Sequence, residues 1–212
     1  MRITGEQLRL YAVTDRSWLG AQTLVEQVEE AIENGVTCVQ LREKHMDKAA
    51  FLQEAKAILP ICQAKGVPLI INDEVEIAAA GWADGVHVGQ GDMAISEARR
   101  LLGLEKIIGT SAHNVQEAVA AQEQGADYIG VGAVFGSATK TDATPLAFGE
   151  LQKICQAVTI PVVAIGGINR ENAHKLAGSG IDGIAVVSAI FAQKEIGKAA
   201  AELRRLAEEV SR

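Results

Sequence analysis

The chain has 212 residues, 48% of them hydrophobic but only 4% aromatic, a length that suits one α/β barrel built on an aliphatic core. A formal net charge of −7 argues against nonspecific nucleic-acid binding, which needs a basic surface. No apolar run approaches the roughly 18–20 residues of a membrane span.

The opening MRITGEQ lacks the apolar centre of a secretory leader. Cys38, Cys62 and Cys155 are odd in number and show no C-x-x-C spacing. They are expected to be reduced core thiols of a cytoplasmic protein rather than a disulfide or zinc framework.

In chain order, the first strand is expected at 8–13, where LRLYAV stops at Thr14-Asp15-Arg16. Thr23 to Asn34 then carries Leu24, Val28, Ala31 and Ile32 at helical intervals and ends in Asn34-Gly35. Further strands are expected at 36–42, ending in Arg42-Glu43-Lys44, and at 67–72, ending in Asn72-Asp73. The fourth, 84–88, leads into Gly89-Gln90-Gly91-Asp92, and the fifth, 106–110, into Ser111. The sixth, 127–132, ends at Gly132 and is followed by an aperiodic Gly/Ser/Thr-rich stretch to 146, which reads as a functional loop or lid. Strands at 160–165 and 182–187 end at Gly166-Gly167 and at Ser188, and the last helix gathers Ile196, Ala199, Ala200, Leu203, Leu206, Ala207 and Val210 on one side.

The segments GWADGVHVG, QGADYIGVG and GSGIDGIAVV repeat one pattern: a helix end, an Asp, then a strand. Such repetition favours a closed (β/α)8 TIM barrel, a single domain over 1–212, rather than an open doubly wound sheet. In that barrel all eight strand endings meet on one face, where active sites are built.

Alternation places Cys38, Gln40 and Arg42 on the inward face of the second strand, with Gln40 and Arg42 expected at the mouth. Arg42 and Lys44 then read as an anion clamp, or else as members of surface pairs with Glu43. Asp73 and Asp92 are separated by 19 residues, one βα unit. Adjacent strands lie about 5 Å apart, so the two carboxylates could share one Mg²⁺. Alternatively, each caps the helix that follows it. Gly166-Gly167, Asn169 and Ser188 fall where barrels receive phosphate on backbone N–H groups. Ser137, Thr139 and Lys140 could wrap phosphate oxygens as a lid, or form a solvated loop. Ser111 could cap the next helix, and His87 reads as a hydrogen-bonded core histidine. No Ser-His-Asp or Cys-His arrangement supports a nucleophilic enzyme.

The motifs LYAVTDR, QLREK, IIND, DGVHVGQGD, IGTSAH, GADYIGVGAVF, SATKTDA, IPVVAIGGI and GIAVVSAI occur in order along nearly the whole chain. Together they resemble the thiamine-phosphate synthase family. The resemblance implies a barrel transferase of thiamine biosynthesis that joins a pyrimidine methyl pyrophosphate to a thiazole phosphate and releases pyrophosphate with Mg²⁺. It implies that Gln40, Arg42, Lys44, Asn72, Ser111 and Lys140 hold the pyrimidine pyrophosphate and that Asp73 and Asp92 ligate Mg²⁺. Ser137, Thr139, Gly167, Val187 and Ser188 would hold the thiazole phosphate, and Arg42, Ser111 and Lys140 would take catalytic parts. Relative to the family pattern, Glu74 stands where Arg is frequent, Glu76 where Asp is frequent, Ala133 where Pro is frequent, and Ser137 replaces Thr.

Three other readings compete. One is a thiazole tautomerase of the same superfamily, which has no need of a pyrophosphate–metal clamp. The second is a catalytically silent binder of thiamine phosphates. The third is a sugar-phosphate isomerase or epimerase, which would want a carboxylate or histidine base pair at its centre. A homo-oligomer is left open.

Overall fold

In the computed structural model, which describes residues 3–136 and 145–212, eight parallel strands close into a barrel in chain order. They are β1 (Leu10–Val13), β2 (Cys38–Leu41), β3 (Leu69–Asn72), β4 (Gly85–Val88), β5 (Ile107–Ala112), β6 (Tyr128–Gly132), β7 (Val162–Ile165) and β8 (Gly183–Val186). Around them lie α1 (Leu24–Glu33), α2 (Lys48–Lys65), α3 (Val75–Ala79), α4 (Ile95–Leu102), α5 (Val115–Glu123), α6 (Phe148–Ala157), α7 (Ser188–Phe191) and α8 (Ile196–Val210). A 3-10 turn at Ala173–Leu176 stands between β7 and β8 in place of a full helix.

Strand alternation divides the interior into two cores. Val39, Leu41, Ile71, Val86, Ile108, Ile129 and Ala164 point outward and pack with the helices. Tyr11, Cys38, Ile70, Ile107, Tyr128, Val163 and Ala185 point inward and fill the barrel. Each aliphatic side chain so buried contributes about 1.5–3 kcal/mol. Ile3 and Leu8 plug the lower end, and Gly183 leaves room for them: a Cβ there would lie 1.9 Å from the Leu8 carbonyl oxygen.

Local signals set the helix boundaries. Thr23 and Glu26 form a reciprocal capping box at the start of α1, and Gly35 beyond its end takes φ +109°. Asp47 caps α2 by accepting from the N–H groups of Ala49 and Ala50, both at 3.0 Å. Asn114 caps α5 by accepting from Glu117 N–H at 2.9 Å.

The repeated Asp has a physical role at the barrel base. Asp84, Asp127 and Asp182 each precede an even-numbered strand and accept an N–H at the start of the strand before it, from Leu69, Ile108 and Val162, each at 2.8 Å. Thr37 does the same before β2, its hydroxyl accepting from Leu10 N–H at 2.9 Å. One device therefore fixes the pairing of β1 with β2, β3 with β4, β5 with β6, and β7 with β8.

Most strands are shorter than expected, because residues such as Leu8 belong to a 3-10 turn rather than to β1. β5 is longer and runs through Ser111 to Ala112. Ser111 is therefore a strand residue and not a helix cap. Among the described residues, no helix is long and apolar enough to cross a membrane.

Candidate active site

A cavity of about 550 Å³ opens at the carboxyl ends of the strands. One half of its wall is polar: Tyr11, Gln40, Arg42, Asn72, His87, Ser111 and Tyr128. The other half is largely backbone, from Gly166, Gly167, Asn169, Val187 and Ser188.

The polar floor is one continuous chain of hydrogen bonds. Gln40 Nε2 donates to the Tyr11 hydroxyl at 2.8 Å, and Tyr11 and Tyr128 share a hydroxyl–hydroxyl bond of 2.8 Å. The Tyr128 hydroxyl meets His87 Nδ1 at 3.0 Å, and His87 Nε2 meets Ser111 Oγ at 3.1 Å. The two tyrosine rings pack edge to face, with centroids 5.9 Å apart. Inward glycines make space for them, since a Cβ on Gly109 would fall 2.1 Å from the Tyr128 ring and one on Gly130 would press His87 at 3.3 Å. Gln40 is thus set deeper than the mouth, 5% exposed, where its amide nitrogen bonds Tyr11 instead of water.

Arg42 reaches the cavity from the end of β2, and its position is braced twice. Its backbone N–H donates to the buried Thr14 hydroxyl at 3.0 Å, while Thr14 N–H donates to the Gln40 carbonyl at 2.9 Å. Next to it Glu43 turns away from the cavity. Arg16, in the loop after β1, bonds Glu43 at 2.7 Å and Glu54 of α2 at 2.5 Å. The surface-pair alternative for Arg42 is therefore not realised, because Glu43 pairs with Arg16. Lys44 is exposed on the rim and lies outside the cavity wall.

Asp73 and Asp92 come together on the same rim although neither lines the cavity. Their carboxyls lie close enough to act on one another electrostatically. Partial burial and the neighbouring Asp92 carboxylate raise Asp73 to about 6, against the pull of Asn72 and Arg42. Neither aspartate side chain caps a helix. Glu74 occupies the N-cap position of α3 and Ala94 that of α4, while Asp92 accepts from Gly89 N–H at 2.8 Å. Asp73 adopts φ +64°, a conformation unfavourable for a residue with a Cβ. Held in that conformation, its carboxyl lies against Asp92. Glu74 points to Lys48 at 3.4 Å, a lysine it shares with Glu76, so its side chain is drawn to a cation outside the carboxylate pair.

Across the cavity, Gly166 and Gly167 take φ +103° and +68°. A Cβ on Gly166 would lie 2.5 Å from Ala133, and one on Gly167 2.1 Å from the Gly136 carbonyl oxygen. Glycine is required here because the segment after β6 crosses directly over β7's end, with Val134 and Phe135 N–H donating to Ile165 and Gly166 carbonyls at 3.0 Å. Ser137, Thr139 and Lys140 lie outside the described residues.

The fold therefore gathers Gln40, Arg42, Asn72, Ser111, Gly167, Val187 and Ser188 on one cavity, with Lys44, Asp73 and Asp92 on its rim. Sequence reasoning gave no part to Tyr11, Tyr128 or Arg16. The available signal was a tyrosine at an inward position of two strands in a chain with only two tyrosines. His87, expected as a core histidine, is hydrogen-bonded as such but also faces the cavity.

The family model described as thiamine monophosphate synthase matches residues 10–190. A thiamine-phosphate synthase from Clostridium acetobutylicum is 50% identical over 89% of this chain and 89% of its own length. One from Ruminiclostridium cellulolyticum is 52% identical over 92% of each chain. The solved thiamine phosphate pyrophosphorylase from Pyrococcus furiosus superimposes with a TM-score of 0.89 at 39% identity, covering 97% of this chain and 98% of that one. With the match running from β1 into α7 and taking in most of the cavity wall, the chain belongs to the thiamine monophosphate synthase family.

Proposed function

We propose that this chain is a thiamine-phosphate synthase, a transferase that joins a pyrimidine methyl pyrophosphate to a thiazole phosphate and releases pyrophosphate. The observation that carries the reading is the two-poled cavity. Arg42 and a carboxylate pair stand at one side, and a glycine-lined backbone pole stands at the other. One anion with its metal fits the first pole and a simple phosphate the second.

The reaction breaks the C–O bond between the pyrimidine methylene and the pyrophosphate, which leaves with the electron pair. The thiazole nitrogen lone pair then forms the new C–N bond, so no protein nucleophile is needed. Arg42 binds pyrophosphate oxygens in bidentate fashion and stabilises the charge that grows on them. Lys44 and Lys140 add point charges, Asn72 and Ser111 donate hydrogen bonds, and Gln40 meets the pyrimidine. Gly167, Val187 and Ser188 hold the thiazole phosphate through backbone N–H groups, with Ser137 and Thr139 adding hydroxyls.

Asp73 and Asp92 fit Mg²⁺. Their carboxyls face one another closely enough to push Asp73 upward, which is the donor set and the electrostatic tension that a hard cation relieves. When bound, Mg²⁺ would neutralise pyrophosphate charge. The three buried cysteines, whose thiols burial pushes up to about 12 for Cys62 and about 11 for Cys155, support a reducing, cytoplasmic setting.

The test is an assay of purified protein with both substrates and Mg²⁺. Thiamine phosphate and pyrophosphate should form in equal amounts. Absence of both, with thiazole isomerisation instead, would show a tautomerase.

A further inference from the structure

The hydrogen-bonded chain across the barrel floor joins the side chains of β2 and β5 that face the same ligand, and its proton order is not arbitrary. Gln40 Nε2 gives a proton to Tyr11. Tyr11 and Tyr128 are 2% and 0% exposed, so a hydroxyl proton without an acceptor would be costly in either. The arrangement that satisfies both runs one way: Tyr11 donates to Tyr128, and Tyr128 donates to His87 Nδ1. Cys38 also touches the Tyr11 hydroxyl, but its thiol is the weaker acceptor. A neutral His87 then carries its proton on Nε2 and donates to Ser111, whose own hydroxyl proton is left for the cavity. Burial raises both phenols well above the ordinary tyrosine value, so neither tyrosine ionises. Reversing Gln40 would require every member to reverse with it.

With Nε2 spent on Tyr11, Gln40 Oε1 has no partner among the described residues, and the residue lines the cavity. We propose that the chain Gln40–Tyr11–Tyr128–His87–Ser111 is a specificity device, in which Tyr11 and Tyr128 are positioning residues. They lock the Gln40 amide with its carbonyl toward the ligand and so select an amino-substituted heterocycle over its oxo counterpart. An amino group donates to Oε1, whereas an oxo group would set two acceptors against each other. The inference rests on the synthase reading for the identity of the ring, a pyrimidine, and adds how its substituent is chosen. Neither tyrosine needs to touch the reacting atoms.

The test compares amino- and oxo-pyrimidine methyl pyrophosphates in the wild type, Tyr11→Phe and Tyr128→Phe, by calorimetric binding with turnover alongside. Each Phe keeps the ring and removes only the link. Preference for the amino compound should fall at least about tenfold in each variant, with the KM for thiazole phosphate unchanged. An unchanged preference in a folded variant overturns the proposal. A readout that needs no variant is the His87 tautomer by ¹⁵N NMR. A proton on Nε2 supports the one-way order from Gln40 to Ser111, and a proton on Nδ1 overturns it. Failure of the wild type to turn over either compound would refute the synthase reading alone, since the binding ratio and the tautomer still decide on the chain.

Discussion

Arg16, outside the cavity, holds the buried carboxylate next in sequence to Arg42. It bridges Glu43 and Glu54, and Glu43 has a side chain only 6% exposed. Burial raises Glu43 while the Arg16 guanidinium opposes that rise. In Arg16→Ala the buried carboxylate loses its cation, so a loss of about 1–3 kcal/mol of stability at neutral pH is expected. The sign with pH follows from linkage. A carboxyl whose folded value is raised binds its proton more tightly folded than unfolded, so its penalty appears as pH rises and fades as pH falls. Urea denaturation should therefore show the variant's deficit shrinking between about pH 7 and about pH 5. A constant deficit would mean that Arg16 acts through packing alone.

The carboxylate pair obeys the same rule in the metal-free protein. Asp73, raised to about 6, binds its proton in the folded state over a range where the unfolded chain has already lost it. Stability contributed at this site thus falls as pH climbs from the ordinary carboxylate value through about 6. Mg²⁺ removes the penalty and competes with the proton. Its thermal stabilisation of the protein should be larger at about pH 7 than at about pH 5, and absent in Asp73→Asn. Equal shifts at both pH values, or a full shift in the variant, would remove Asp73 from the metal site.

Among the elements, the even-numbered strands carry the clearest sequence signal and the clearest structural reason for it. Asp127 accepts from Ile108 N–H at 2.8 Å and from Arg99 at 2.6 Å. Arg99 in turn donates to the carbonyls of Gly103, Lys106 and Gly125. Asp127→Ala leaves a strand N–H and part of a guanidinium unpaired, so a loss of about 2–4 kcal/mol is expected by chemical denaturation, with kcat little changed because the site lies at the opposite end of the barrel. A loss below about 0.5 kcal/mol would reduce the repeat to a surface pattern.

Legibility in the sequence followed the range of the forces involved. Thr23, Asp47 and Asn114 act on N–H groups two or three residues away, and the inward or outward facing of Gln40 and Val39 is set by strand alternation. The glycine and aspartate endings could be placed on one rim once the barrel was inferred. The Tyr11–Tyr128 bond spans 117 residues and the Arg16–Glu54 pair 38, and neither leaves a local pattern. The helix-cap readings of Asp73 and Ser111 failed for a related reason. Tertiary contacts, an Asp92 carboxyl for one and a His87 ring for the other, engaged side chains that local rules would have turned to the backbone.

At the scale of the molecule, closure is what makes the site. β1 pairs with β8 through Leu10–Ile184, Tyr11–Ala185 and Ala12–Val186. That seam brings the Gln40 side of the cavity beside the Val187 side. Both ends of the described chain secure it from below. Leu8 and Ile3 fill the barrel's base, and Arg212 grips Asp182 with two bonds of 2.9 Å while its N–H donates to the Ile181 carbonyl at 2.9 Å. With core residues from all eight strands in contact through the closed sheet, residues 1–212 are proposed to fold as one domain. Urea unfolding followed by far-UV circular dichroism and by Trp18 and Trp82 fluorescence should then give coincident single transitions, since no half of an eight-stranded barrel buries its own core. The seam itself can be probed with Arg212→Ala. It should lower the midpoint while leaving both signals coincident, because a weakened seam in a single cooperative unit destabilises every strand together. Two separated transitions, in the wild type or in the variant, would show that part of the barrel holds its fold alone and that the seam joins two units instead of completing one.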